Sequence, residues 1–142
     1  MATTLPSRRP LGLPRDRCGA LALRRDRVRL RTVMADGQTI GRITDVILDG
    51  RVRRVAGFSV ACVDGERFLP LAAVAAVGPS GIEVESPLHL VDEIDFYRRD
   101  GVGLSTVLGR SQSGGRIEDV IARLDTGEIE ALVLDSGARV AP

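Results

Sequence analysis

The chain has 142 residues, 44% of them hydrophobic, enough for one ordinary domain or two very small ones with a packed core. Its 20 basic and 19 acidic residues leave a formal charge of +1, which argues against the strongly basic surface of a general nucleic-acid binder. The aromatic residues are Phe58, Phe68, Phe96 and Tyr97, and there is no Trp, so the core must rest on Val, Ile, Leu and Ala.

The N-terminal region is a basic arm. Nine arginines fall in the first 31 residues against Asp16 and Asp26, and every basic residue of the chain is Arg. That chain-wide bias reads as codon usage in a GC-rich genome rather than local selection for bidentate phosphate binding. Pro6, Pro10 and Pro14 prevent a continuous helix or a central strand, so residues 1–26 are predicted to form an Arg/Pro-rich flexible tail. The apolar run Gly19 to Leu23 is too short for a secretory signal, and no segment approaches the roughly 18 apolar residues of a spanning helix. Cys18 and Cys62 fit no metal-ligand spacing and are too few for a disulfide framework. These features predict a reduced, soluble, cytoplasmic protein with no transmembrane segment.

From Arg27 the pattern changes to near-alternation, with Val28, Leu30 and Val33 marking a strand that buries one face. Asp36-Gly37 supplies a tight reversal into a second strand over residues 39–48, closed by Asp49-Gly50. Residues 55–63 carry no charge on either parity, so that strand must be covered on both faces, by a second unit, a connecting helix or another copy of the chain. Asp64-Gly65 leads into a strand over 66–71, and a turn at residues 78–81 precedes the alternating Ile82 to Glu85. Ser86-Pro87 then reads as an N-cap with proline at the first helical position. Leu88, Val91, Ile94 and Tyr97 line one face, and acidic residues give way to Arg98 and Arg99, predicting a linker helix over 87–100. Strand patterning resumes from Leu104 to the C-terminus.

One motif occurs twice: Gly41-Arg42-Ile43-Thr44-Asp45-Val46-Ile47 and Gly115-Arg116-Ile117-Glu118-Asp119-Val120-Ile121. Beyond it, Asp49-Gly50 aligns with Asp125-Thr126-Gly127, Val52 with Ile129, and Arg67 to Pro70 with Arg139 to Pro142. The second copy ends there, without a counterpart of Leu71 to Glu85. The pattern Asp36-Gly37, Gly41-x-Ile43-x-Asp45-Val46, a turn and an apolar strand, then Phe68-Leu69-Pro70-Leu71-x-x-Val74 resembles the PRC-barrel family. That family includes the cytoplasmic region of the photosynthetic reaction-centre H subunit and a domain of the ribosome maturation factor. The resemblance covers residues 27–86 well and 104–142 weakly. It implies a mainly β protein: a small antiparallel barrel over 27–86, the linker, and a second, truncated PRC-barrel-like repeat over 101–142. It also implies an adaptor role with no active site common to the family.

Asp45 and Asp119 share one motif position. Paired carboxylates can serve acid–base chemistry or hold a cation, but an aspartate recurring after a glycine in each copy fits better as an acceptor of backbone N–H groups at a turn. Gly41 and Gly115 read as bend or bulge positions. His89, the only histidine, has no cysteine or nucleophile pattern beside it. Ser111, Ser113, Gly114 and Gly115 form a polar turn without the lysine of a phosphate-binding loop and read as a flexible hairpin connection, and Phe96-Tyr97 reads as a core anchor in preference to a partner contact. The sequence therefore assigns no catalytic, cofactor-binding or metal residue, and no cofactor. The expected function is a non-enzymatic protein-interaction module with a protein partner or a homodimer. The alternative is RNA or ribosome association through the Arg-rich arm.

Overall fold

The computed structural model describes residues 19–92 and 99–142. Twelve strands are arranged in two sheets: β1 (Ala20–Ala22), β2 (Thr32–Ala35), β3 (Gln38–Asp49), β4 (Val55–Cys62), β5 (Gly65–Pro70), β6 (Ala76–Val77), β7 (Gly81–Glu83), β8 (Gly101–Gly103), β9 (Ser111–Gln112), β10 (Gly115–Arg123), β11 (Ile129–Leu134) and β12 (Arg139–Val140). One α-helical turn, α1 (Leu104–Val107), follows β8. The protein is mainly β, as the alternating apolar patterns predict. No helix among the described residues is long and apolar enough to cross a membrane.

The first sheet runs β5-β4-β3-β2-β7-β6, with β8 added to β3, and the second runs β1-β10-β11-β12, with β9 added to β10. Among the described residues neither sheet closes into a barrel, which corrects the expectation of a closed antiparallel one. Two features keep the first sheet open: β7 joins β2 in parallel, and the outer edge of β5 is bridged by Val91 instead of by β6. The Asp36-Gly37 reversal forms as predicted, with both residues at positive φ and Ala35 paired to Gln38.

The two motif strands, β3 and β10, have the same pairing register. Ile43, Asp45, Val46, Ile47 and Leu48 face Val60, Ser59, Phe58, Gly57 and Val55. Ile117, Asp119, Val120, Ile121 and Ala122 face Leu134, Val133, Leu132, Ala131 and Ile129. Each strand carries two register irregularities, and they fall at the same motif positions. The correspondence differs from the alignment by turn residues: Val55, not Val52, matches Ile129. Phe68, not Arg67, matches Arg139, because Leu69 pairs Phe58 as Val140 pairs Leu132. Aspartate-glycine punctuation misleads here because the chain reverses after β3 and β10 through different turns, with Val52 left-handed in one and Gly127 in the other.

Two short strands cross between the halves. β1 pairs β10, with Leu21 opposite Ala122, and β8 pairs β3, with Val102 opposite Leu48. The loops after β3 and β10 meet as well: Val55 N–H donates to the Gly127 carbonyl at 2.7 Å and Ile129 N–H to the Arg53 carbonyl at 3.0 Å. One apolar cluster consequently spans both sheets, including Leu21, Leu48, Phe58, Leu69, Val120 and Leu134. The second face of β4, expected to need cover, receives it from the connecting segment. Val91 packs with Ile47, Phe68 and Ala56, exchanges two hydrogen bonds with Phe68, and is followed by the Asp92–Arg67 ion pair at 2.9 Å. Of the predicted linker helix, Ser86 caps a 3-10 turn over Pro87–His89. Residues 93–98, including Phe96 and Tyr97, lie outside the described residues.

The tail expected through residue 26 is also corrected. Ala20–Ala22 form a sheet strand, and Leu21 and Leu23 are 3% and 1% exposed, because an apolar run that is too short for a membrane is long enough to complete an edge of this core. Burial of each leucine contributes about 2 kcal/mol. A chain starting at residue 24 is therefore expected to be at least about 4 kcal/mol less stable than one starting at residue 19. Urea denaturation of the two truncations checks this, and equal midpoints would refute the structural role of β1.

Candidate functional site

The motif aspartates hold the exchanged strands. The Asp45 carboxylate accepts from Ser105 N–H at 3.2 Å, Ser105 O–H at 2.7 Å and its neighbour Val46 N–H at 2.9 Å. The Asp119 carboxylate accepts from Arg24 N–H at 2.7 Å, Arg25 N–H at 3.0 Å and Val120 N–H at 2.8 Å. Each aspartate thus grips the residues just past the strand delivered from the other half, β8 for Asp45 and β1 for Asp119. From sequence the expected donors are backbone N–H groups at a local turn; in the structure most of the donors come from elsewhere in the chain. Their acceptor sites are occupied by main-chain and hydroxyl donors, an arrangement suited to clamping.

The motif glycines answer to different contacts. A side chain at Gly41 would press on Val60 and the Ala61 carbonyl across the sheet, whereas Gly115 has φ +151° and lies against the Asp135 carboxylate.

A groove of about 890 Å³ opens where these pieces meet. One wall is the first motif strand from Arg42 to Val46, at the point where β3 exchanges its partner β2 for β8. The second wall is α1 with Ser105 and Leu108, and the third is the segment from Leu23 through the 3-10 turn Arg27–Leu30 to Arg31. Apolar side chains form the floor: Leu23, Leu30 and Leu104 are buried, and Ile43 and Leu108 are half-buried. The rim carries the exposed Arg24, Arg27, Arg31 and Arg42, none of which has an ion pair among the described residues. Arg29 points elsewhere, donating to the Gly78 and Val77 carbonyls. Because Asp119 fixes the Arg24 backbone, the second motif places a cation on a groove built largely by the first.

The other residues singled out from sequence do not converge on this groove. His89 is exposed on the 3-10 turn, and the expected hairpin connection forms between β9 and β10, with Ser113 and Gly114 as its turn while Ser111 and Gly115 lie in the paired strands. Cys62 is half-buried on β4, its thiol pushed up by burial and partly drawn back by the Arg67 guanidinium. Cys18 lies outside the described residues. On the far side of β4, the Thr44 and buried Ser59 hydroxyls and the Glu66 carboxylate lie within 3.0 Å of one another. No group of three or more His, Cys, Asp or Glu side chains that could hold a metal ion occurs among the described residues. From sequence, Arg24 falls in the predicted tail and Arg27, Arg31 and Arg42 in predicted strands; the clustering of the first three before residue 32 is the one signal for the groove. Compared with known proteins, the chain matches no family model and no curated sequence.

Two expectations follow. Asp119→Ala leaves the Arg24 and Arg25 amides without their carboxylate. Bonds to a charged acceptor contribute about 1.5–3 kcal/mol each, so with water recovering part of the loss the variant should unfold about 3 kcal/mol more easily, and more so than Asp45→Ala. Denaturant midpoints at unchanged slope check the order. Separately, Arg123 donates two bonds to Asp125, at 3.1 and 2.7 Å, and holds that carboxyl below its usual range. A lowered carboxyl pKa stabilises the fold above the unfolded value of about 3.9 and loses that contribution as pH falls through the folded one. The gap in thermal midpoint between wild type and Asp125→Asn should therefore be full at pH 7 and shrink progressively as pH falls below about 3.9. A gap that persists in acid would contradict the pairing.

Proposed function

We propose that the protein is a non-enzymatic interaction module of the PRC-barrel type, built from one complete unit and one shortened copy, and that it receives a protein partner in the arginine-rimmed groove. Support for two copies of one unit comes from the shared register and the matched irregularities of β3 and β10, together with the like placement of Leu69 opposite Phe58 and Val140 opposite Leu132. Support for the adaptor reading rests on a single observation. The groove combines an apolar floor with four exposed guanidinium groups that no carboxylate among the described residues neutralises, and such a surface gains most from an external partner.

The test compares affinity capture by the full chain with capture by the Arg27→Glu/Arg31→Glu variant, both first shown to melt at the same temperature. A partner held by the first and released by the second is expected; identical retention would remove the groove from the reading. Sedimentation across a concentration series covers the case in which the partner is a second copy, where the same variant should shift the association.

RNA binding is the second reading, favoured by the continuity of Arg24, Arg27 and Arg31 with the Arg-rich N-terminal sequence. Because residues 20–22 belong to the fold, the informative deletion is residues 1–18 rather than 1–26. RNA association through the arm predicts an affinity that falls steeply with salt and collapses on that deletion.

A further inference from the structure

We infer that the groove recognises an acidic segment of a partner protein that places a large aliphatic side chain on its floor. This inference rests on the adaptor reading above and specifies the partner's chemistry.

Arg24, Arg27, Arg31 and Arg42 surround the groove, and the one lining carboxylate among the described residues, Asp45, is already bonded to Ser105 and Val46. A carboxylate entering the groove meets guanidinium forks without displacing an existing ion pair among the described residues. Arg24 starts from a fixed backbone, since its own N–H and that of the next residue donate to Asp119.

The floor separates protein from nucleic acid. Binding of a phosphate backbone would satisfy the rim and leave the half-buried Ile43 and Leu108 facing water. Among the described residues no aromatic side chain lines the groove, so these residues offer bases no stacking platform of the kind that single-strand binders use. An aliphatic side chain covers Ile43 and Leu108 and adds burial that a nucleotide cannot supply. Size agrees: about 890 Å³ lies at the upper end of the range for small-molecule pockets and accommodates a short peptide segment.

Fluorescence anisotropy on the full chain tests the inference with three labelled probes: a twelve-residue peptide of Glu, Asp and Leu, a peptide of equal charge with Ser replacing Leu, and a twelve-nucleotide uridine RNA. The leucine-containing peptide is expected to bind at least tenfold more tightly than either other probe. Arg27→Glu/Arg31→Glu should weaken it at least tenfold, and Leu108→Ser should abolish its advantage over the serine peptide. Arg139→Glu, on β12 and outside the groove lining, serves as the charge control and should change little. If the double variant fails to fold, Arg42→Gln should still produce about a threefold loss. Tighter binding of the RNA, equal binding of the two peptides, no peptide binding, or insensitivity to the rim substitutions would each overturn the inference. If affinity capture nevertheless yields a groove-dependent partner while these peptides fail, the adaptor reading stands and only the acidic, aliphatic specificity falls.

Discussion

The structure depends on a reciprocal exchange of strands gripped by aspartate. The segment preceding each motif strand pairs with the motif strand of the other half, β1 on β10 and β8 on β3, and an aspartate at the same motif position secures each crossing. The motif strand of each half therefore has one neighbour supplied by the other. The apolar cluster running through both sheets and the reciprocal bonds at Val55 and Ile129 follow from that arrangement, because they bring the same two surfaces together at further points.

The exchange also creates the groove. β3 is continuous while its neighbour changes from β2 to β8, and a sheet cannot change partners without leaving a gap between the strand that departs and the one that arrives. Here the gap is floored by leucine and isoleucine and edged by arginine. The clamp that stabilises the fold thereby also shapes the groove: Asp45 and the Ser105 it holds both line it, and Asp119 fixes the Arg24 backbone. Changes at either aspartate accordingly act on folding and on the groove together, whereas changes at the exposed guanidinium groups separate the two.

The departure from a closed barrel has a local cause. The strand that would have to meet β6 is β5, and its free edge is occupied by Val91, with Arg67 and Asp92 pairing beside it. That contact protects an otherwise bare sheet edge and covers the second apolar face of β4. A strand pattern apolar on both parities announces that two covers exist; it does not say which part of the chain supplies them.

Local chemistry alone determined the β class, the Asp36-Gly37 and Ser113-Gly114 reversals, the Ser86 cap and the doubled motif, since alternation, positive-φ residues and capping hydroxyls act over a few neighbours. The identity of Asp45 and Asp119 as acceptors of N–H groups was legible on the same grounds, though not their donors. Tertiary structure decided the rest. That Leu21 belongs to a core strand rather than a tail, that Val55 answers Ile129, and that Arg24 and Arg42 share one groove are all settled by pairings between residues far apart in the chain. Such pairings are selected by the total apolar surface they bury and the backbone groups they satisfy, and no short window of sequence contains that sum.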